Sequence, residues 1–82
     1  MQFLAVFFTT YHTLSAEKIF KKLKIKNKTI IKPRKITTDC GLAIEFDSDF
    51  LNKLDEEFKL AKLKLEGFYR KIDNEWTRIN VD

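Results

Sequence analysis

The residue with the clearest chemical potential is Cys40, the only cysteine among 82 residues. It lies in the polar run 33–41, PRKITTDCG, and an apolar strand pattern follows it directly. A thiolate is the reactive form of cysteine, so a functional thiol needs surroundings that favour the anion. The pattern predicts a reactive thiol in a loop. The alternative is a cysteine that packs as a small buried apolar side chain.

Charged residues near Cys40 are the first candidates for tuning this thiol. His12 is predicted as its partner, acting as base or as imidazolium. Arg34 and Lys35 offer positive charge in the same run as the thiol. Asp39 acts against them, because a carboxylate beside the sulfur disfavours the thiolate. The alternatives remain open that His12 caps a helix and that Arg34 and Lys35 are plain solvated charges.

Small polar residues complete the predicted site. Thr37 and Thr38 are expected to add hydroxyl donors at the thiol, and Thr9 and Thr10 are expected to lie close to it. Gly41 is expected to provide close backbone approach or a positive φ. We predict that five residues contact the substrate: Arg34, Gly41, Thr9, Thr10 and Thr38.

The elements that position these residues follow from apolar spacing. Period-two or β-branched patterns predict strands at 2–8, 29–32, 42–46, 67–72 and, after a turn at Asp73-Asn74, 75–79. Helical spacing predicts helices at 14–24 and 50–64, with a turn at 9–13. The order β-α-β-β-α-β indicates an α+β, ferredoxin-like sandwich. Its antiparallel sheet would have the order 4-1-3-2, with both helices on one face and an added C-terminal hairpin strand.

This topology brings two loops together. The first two strands run in the same direction, so residues 9–13 and 33–41 meet at one end of the sheet. The start of the first helix lies there as well, with its free N–H groups and partial positive charge. Cys40 is therefore expected beside Thr9, Thr10 and His12.

The first strand is apolar on both faces, so the face without helices needs a cover. Trp76 and Ile79 can supply it, and so can a second subunit, which leaves a homo-oligomer open. We predict one domain over residues 1–72 and a C-terminal extension over 73–82. The apolar start of the chain is interpreted as this buried strand, because its apolar run is too short for a signal peptide or a membrane span.

Composition narrows the function classes. One cysteine and one histidine cannot build an internal disulfide or an ordinary structural metal site, and no cofactor is expected. A single free thiol is typical of a reducing compartment, so we expect the cytoplasm. The net charge of +4 is uneven: residues 1–38 contain nine Lys and Arg and one Glu. Such a basic half is either a solvated surface or an attraction for an anionic partner.

Three segments resemble one family of short bacterial proteins, the selenium/sulfur (Se/S) carrier protein-like family. Residues 9–18, TTYHTLSAEK, are similar to its opening T-x-H-x-A-x-x-A-E-K. Residues 33–44, PRKITTDCGLAI, resemble its signature P-R-x-I-S-S-S-C-G-L-A-L, and 67–70, GFYR, its closing G-x-Y-R. Asp39 stands where the family pattern has a small hydroxyl residue.

The resemblance implies a carrier protein rather than an enzyme. Cys40 would hold sulfur as a persulfide, or selenium in the same way, and His12, Arg34 and Gly41 match the motifs. The implied partners are donor and acceptor proteins, such as a cysteine desulfurase. No membrane partner is expected.

Two other functions remain open from the residues. The same order of elements builds RRM domains, in which aromatic side chains of two strands stack bases. Here the corresponding positions in the third strand are Leu42 and Ile44, and Glu45 would repel phosphate, so nucleic acid is the weaker prediction. The other alternative is an interaction or regulatory domain without chemistry.

Overall fold

The computed structural model describes residues 1–81 and contains seven elements in the predicted order. They are β1 (Phe3–Phe7), α1 (Thr10–Lys22), β2 (Asn27–Ile31), β3 (Leu42–Phe46), α2 (Leu51–Leu60), β4 (Leu65–Ile72) and β5 (Glu75–Ile79). The predicted α+β class is confirmed. No helix in this part of the chain is long and apolar enough to cross a membrane.

One antiparallel sheet of five strands has the order β2-β3-β1-β4-β5. Read from the other edge, the order 5-4-1-3-2 is the expected four-stranded arrangement with β5 added beside β4, and the fold is broadly ferredoxin-like. The turn between β4 and β5 uses Asp73 and Asn74, with φ of 50° and 63°. Two successive positive φ values are what a two-residue hairpin of matching twist requires.

The bounds of both helices differ from those that apolar spacing predicts, because α1 begins earlier and α2 ends earlier. Thr9 caps α1, because its Oγ1 accepts a hydrogen bond from the His12 N–H at 3.1 Å. The predicted turn at 9–13 is therefore wrong: the helix begins at Thr10. At the end of α2, Lys62 has φ of 58° and the Leu63 N–H donates to the Phe58 carbonyl. This Schellman-type ending stops the helix before residue 64.

The main core lies between the helices and one face of the sheet. Its largest members are phenylalanines at 7, 20, 46, 58 and 68. The rings of Phe7 and Phe58 meet edge to face with centroids 5.0 Å apart. Aromatic pairs of this kind add to the stabilisation from burial itself.

The helix-free face has a smaller apolar cluster made of Leu4, Val6, Ala43 and Tyr69. Trp76 of β5 packs against it, as expected. Ile79 does not, since it packs on the opposite face with the main core. The remaining cover is Ile36 from the β2–β3 loop, which is 4% exposed. That loop therefore crosses the helix-free face before it returns to Cys40.

Candidate functional site

The sulfur of Cys40 lies under the first turn of α1. Thr13 Oγ1 is 3.2 Å from Sγ, and Thr10 Oγ1 is 3.9 Å from it. The backbone of Leu42 contributes a carbonyl oxygen at 3.3 Å and an N–H nitrogen at 3.4 Å. The predicted convergence of the two loops is therefore present at the thiol itself.

Cys40 is buried, with only 1% of its surface exposed. It precedes β3 in phase with Leu42 and Ile44, so its side chain lies on the helix-covered side of the sheet. Residue 39 on one side and Gly41 on the other are both exposed. The thiol is thus a buried side chain between two exposed residues of a surface loop, and α1 covers it.

The groups that can form hydrogen bonds with Sγ at this short range are the backbone of Leu42 and the hydroxyl of Thr13. The S–H group can donate to the Leu42 carbonyl, while the Leu42 N–H donates to sulfur. The Thr13 hydroxyl has one hydrogen, which it can give either to Sγ or to the Thr9 carbonyl at 3.1 Å. A thiolate would leave the Leu42 carbonyl facing an anion.

The beginning of α1 favours negative charge at the sulfur. The first four N–H groups of a helix lack helical partners, and their dipoles place partial positive charge at this end. The first turn contains no acidic side chain. Asp39, the residue predicted to oppose a thiolate, is exposed to water, which screens its charge.

His12 lies on the other flank of α1 from the thiol. Its Nδ1 accepts a hydrogen bond from the backbone N–H of Lys64 at 3.2 Å. Successive helical residues are about 100° apart, so the flank that carries Thr10 and Thr13 toward the sulfur turns His12 toward the α2–β4 connection. Among residues 1–81, the hydrogen-bond partners of Sγ are Thr10, Thr13 and Leu42 alone. His12 and Cys40 are not brought together in the closed site.

The predicted cationic residues are not among the hydrogen-bond partners of the sulfur within residues 1–81. Arg34 and Lys35 are exposed in the turn that follows β2. Lys35 forms an ion pair with Glu75 of β5 at 3.1 Å between Nζ and Oε1. The pair ties the β2–β3 loop to the edge of the sheet. Such an exposed pair contributes little to stability.

The predicted threonines have three different positions. Thr10 borders the sulfur, and Thr9 caps the helix above it. Thr38 Oγ1 donates to the Phe7 carbonyl at 3.4 Å, which holds the loop against the end of β1. Thr37 is exposed.

The backbone at position 41 does not require a glycine for either of the reasons predicted. Its φ is not positive, and a Cβ built there would meet nothing within 4 Å among residues 1–81. The expectation of close approach or positive φ is therefore wrong. What the glycine leaves is open space directly beside Cys40.

The chain matches the family described as "Putative Se/S carrier protein-like" over residues 2–70. The chain belongs to this family. No curated protein and no solved structure gives a match. The match contains the whole thiol site and leaves β5, with Trp76, outside it.

Two residues of this Se/S carrier protein-like site were missed from the sequence. Thr13 is fully buried against the sulfur. The available signal was a hydroxyl residue in helical phase with the buried Ala16 and Phe20. Lys32 is the other: its Nζ donates to the carbonyls of Ile36 and Thr38, at 2.5 and 3.3 Å, and so braces the β2–β3 loop. A lysine in a basic run gave no signal of that role.

No cluster of three His, Cys, Asp or Glu residues suited to a metal ion occurs in the described part of this family member. The chemistry available at the site is that of one thiol, two hydroxyl groups, a backbone N–H and a helix N-terminus.

Proposed function

We propose that this chain carries sulfur or selenium on Cys40 and passes it between partner proteins in the cytoplasm. The observation that supports this most directly is the position of the single thiol. It is held by Thr13 and Leu42 at the start of α1, within the segment that matches a carrier family. A carrier needs one nucleophilic thiol and no resolving cysteine or metal.

The transfer is an exchange between a thiol and a persulfide. Cys40 sulfur attacks the terminal sulfur of a donor persulfide, R–S–SH. The donor S–S bond breaks, a new S–S bond forms on Cys40, and the Cys40 proton goes to the donor, which leaves as R–SH. One thiol and one persulfide are present before and after, so no oxidant or reductant is consumed. A perselenide donor, R–S–SeH, would deliver selenium by the same exchange.

Loading requires the buried thiol to become accessible. The thiol is covered by α1. The β2–β3 loop that carries it is attached by Ile36 on the helix-free face, by the Thr38 hydrogen bond to Phe7, and by hydrogen bonds from Lys32. The Lys32 N–H bond to the Gly41 carbonyl continues the pairing of β2 with β3, while the other attachments lie outside the sheet ladder and the main core. We infer that residues 36–41 lift during transfer, which also releases the Leu42 carbonyl from the sulfur.

The helix-free face gives no support to the RRM-like alternative. Base stacking would need open aromatic side chains on the two central strands. The central strands present Leu4, Val6 and Ala43 there, and Ile36 covers them.

Mass spectrometry of the intact chain tests the proposal. After incubation with a cysteine desulfurase and L-cysteine, we expect a mass gain of one sulfur atom that reducing agent removes. Peptide mapping should place it on Cys40. The matched Cys40→Ser variant, which keeps the size of the side chain, should gain nothing. Absence of the adduct, or equal labelling of Cys40→Ser, would refute a carrier role for Cys40.

A further inference from the structure

Two exposed apolar side chains lie near the thiol site, one on α1 and one on the neighbouring strand β2. Leu14 is 48% exposed and Ile31 is 83% exposed. Leu14 follows Thr10 by four residues, so the two side chains are neighbours on the helix surface. Ile31 is paired across the sheet with Leu42, whose backbone contacts the sulfur. Leu14 is therefore next to Thr10, and Ile31 is next to Leu42; Thr10 and Leu42 both contact the sulfur.

The contact between Glu17 and Thr29 sets how α1 lies along β2. Thr29 Oγ1 donates to Glu17 Oε2 at 2.5 Å. From that contact, Ile31 is two residues further along β2, about 7 Å, on the same face of the sheet. Leu14 is three residues back along α1, about 5 Å. Because α1 runs opposite to β2, both steps lead toward the thiol, and Leu14 and Ile31 lie at the same level.

Positive charge surrounds this apolar pair. Residues 10–31 contain six lysines and one acidic residue, Glu17. Lys18 and Lys21 are exposed and lie on the Leu14 side of the helix. Neither forms an ion pair with any carboxylate among residues 1–81. Glu17 is the single carboxylate of this segment, so residues 10–31 retain an excess of positive charge.

We propose that this surface, the α1–β2 flank of Leu14, Lys18, Lys21 and Ile31, docks the protein that donates cargo to Cys40. The partner presents an apolar side chain ringed by carboxylates. The proposal rests on the proposed function. An apolar centre with a charged rim is the ordinary composition of a transient interface, and opposite charge speeds the encounter of the two proteins. Docking here brings the partner to the edge of the sheet where the β2–β3 loop begins.

Loading kinetics with two donors test the docking surface. The protein donor is a persulfide-bearing cysteine desulfurase, and the small donor is glutathione persulfide, which needs no docking. For Lys18→Glu/Lys21→Glu we expect loading by the desulfurase to slow at least ~10-fold at low salt, with loading by glutathione persulfide unchanged. Ile31→Ser should slow the protein donor in the same selective way.

Matched controls come from another surface of the chain. Lys62→Glu/Lys64→Glu makes the same change of net charge, and Leu60→Ser removes an apolar side chain that is 71% exposed. Both should load at the wild-type rate from both donors. If the flank and control variants lose the same fraction of the desulfurase rate, or none loses any, the docking surface is wrong while the carrier function stands.

A binding map separates failure of docking from failure of the carrier function. The isotope-labelled chain is titrated with the desulfurase and followed by amide NMR. Shifts centred on residues 10–21 and 28–32, weakened by salt, support docking even if no donor loads Cys40. Absence of binding at micromolar concentrations, shifts centred elsewhere, or displacement of the desulfurase by single-stranded RNA would overturn it.

Discussion

The two faces of the sheet are packed differently, and the loop that contains the thiol contacts both of them. The helix-covered face has a continuous aromatic core closed by α1 and α2. The helix-free face has a small cluster that is closed by one loop residue, Ile36, and by Trp76 of the edge strand. Cys40 is seated on the first face, yet the loop that leads to it is attached to the second.

This difference separates the stability of the fold from access to the sulfur. Burial of large side chains on the helix-covered face contributes most of the apolar stabilisation. Detaching Ile36 exposes only the smaller cluster and leaves that core intact. The loop opening proposed above therefore costs a fraction of the free energy of unfolding, as is typical of sub-global opening.

The largest expected loss of stability comes from a cavity in the core on the helix-covered face. Phe58 is 1% exposed and contacts other rings on three sides. Phe58→Ala should lower the free energy of unfolding by about 3–5 kcal/mol, measured by urea denaturation. Phe50→Ala is the control, because Phe50 is 66% exposed beside the same helix; its effect should stay within about 0.5 kcal/mol. Similar losses for both would contradict the assignment of the core.

A cavity at Ile36 tests the attachment of the loop. Ile36→Ala should lower the free energy of unfolding by about 2 kcal/mol, the low end for such truncations. Alkylation of Cys40 at low denaturant should accelerate by up to ~30-fold, the factor that this energy corresponds to if all of it acts on opening. Ile30→Ala is the control, since Ile30 packs against the same cluster from β2. Equal acceleration in Ile30→Ala would show that the thiol reacts only through a wider opening of the sheet.

High pH should weaken the helix-free face through Tyr69. Burial raises the pKa of its phenol, and the hydrogen bond and negative charge of Glu66 raise it further. The unfolded chain then loses this proton first, so the contribution is complete below about pH 10 and is lost as pH rises through the folded value. Urea midpoints between pH 9 and 11.5 should fall less steeply in Tyr69→Phe than in the wild type. Parallel curves would exclude Tyr69 as the cause.

Low pH should weaken a contact between the two helices. The hydrogen bond from Lys22 holds the pKa of Glu57 below its usual value of 4.5, and the positive charges of Lys22 and Lys53 act in the same direction. This contribution is present above that usual value and is lost as pH falls through the lower folded value. Glu57→Gln should show a slightly shallower loss of stability between pH 5 and 3, and Lys22→Met should reproduce it. This is the smallest of the four effects, since the pair is exposed on the Lys22 side.

Much of the architecture was determined by local sequence. Apolar alternation placed the strands, and helical spacing placed both helices, because burial of one face imposes these periods. Asp73-Asn74 predicted the hairpin turn, since these residues tolerate positive φ. The direction of the first two strands also predicted that the thiol would lie at the start of α1. Three segments, residues 9–18, 33–44 and 67–70, pointed to the family, and the family match over residues 2–70 contains all three.

Only the tertiary structure decided what surrounds the sulfur. The sequence placed His12 beside Cys40, but the Thr9 cap begins the helix early, and helical phase turns Thr13 toward the thiol and His12 away from it. Ile36 is a single apolar residue in a polar loop, so no period could reveal that it covers the far face of the sheet. The sequence around this single cysteine likewise did not indicate how deeply its side chain is buried. Its burial follows from the packing of α1 across the loop, a contact between segments that are far apart in the chain.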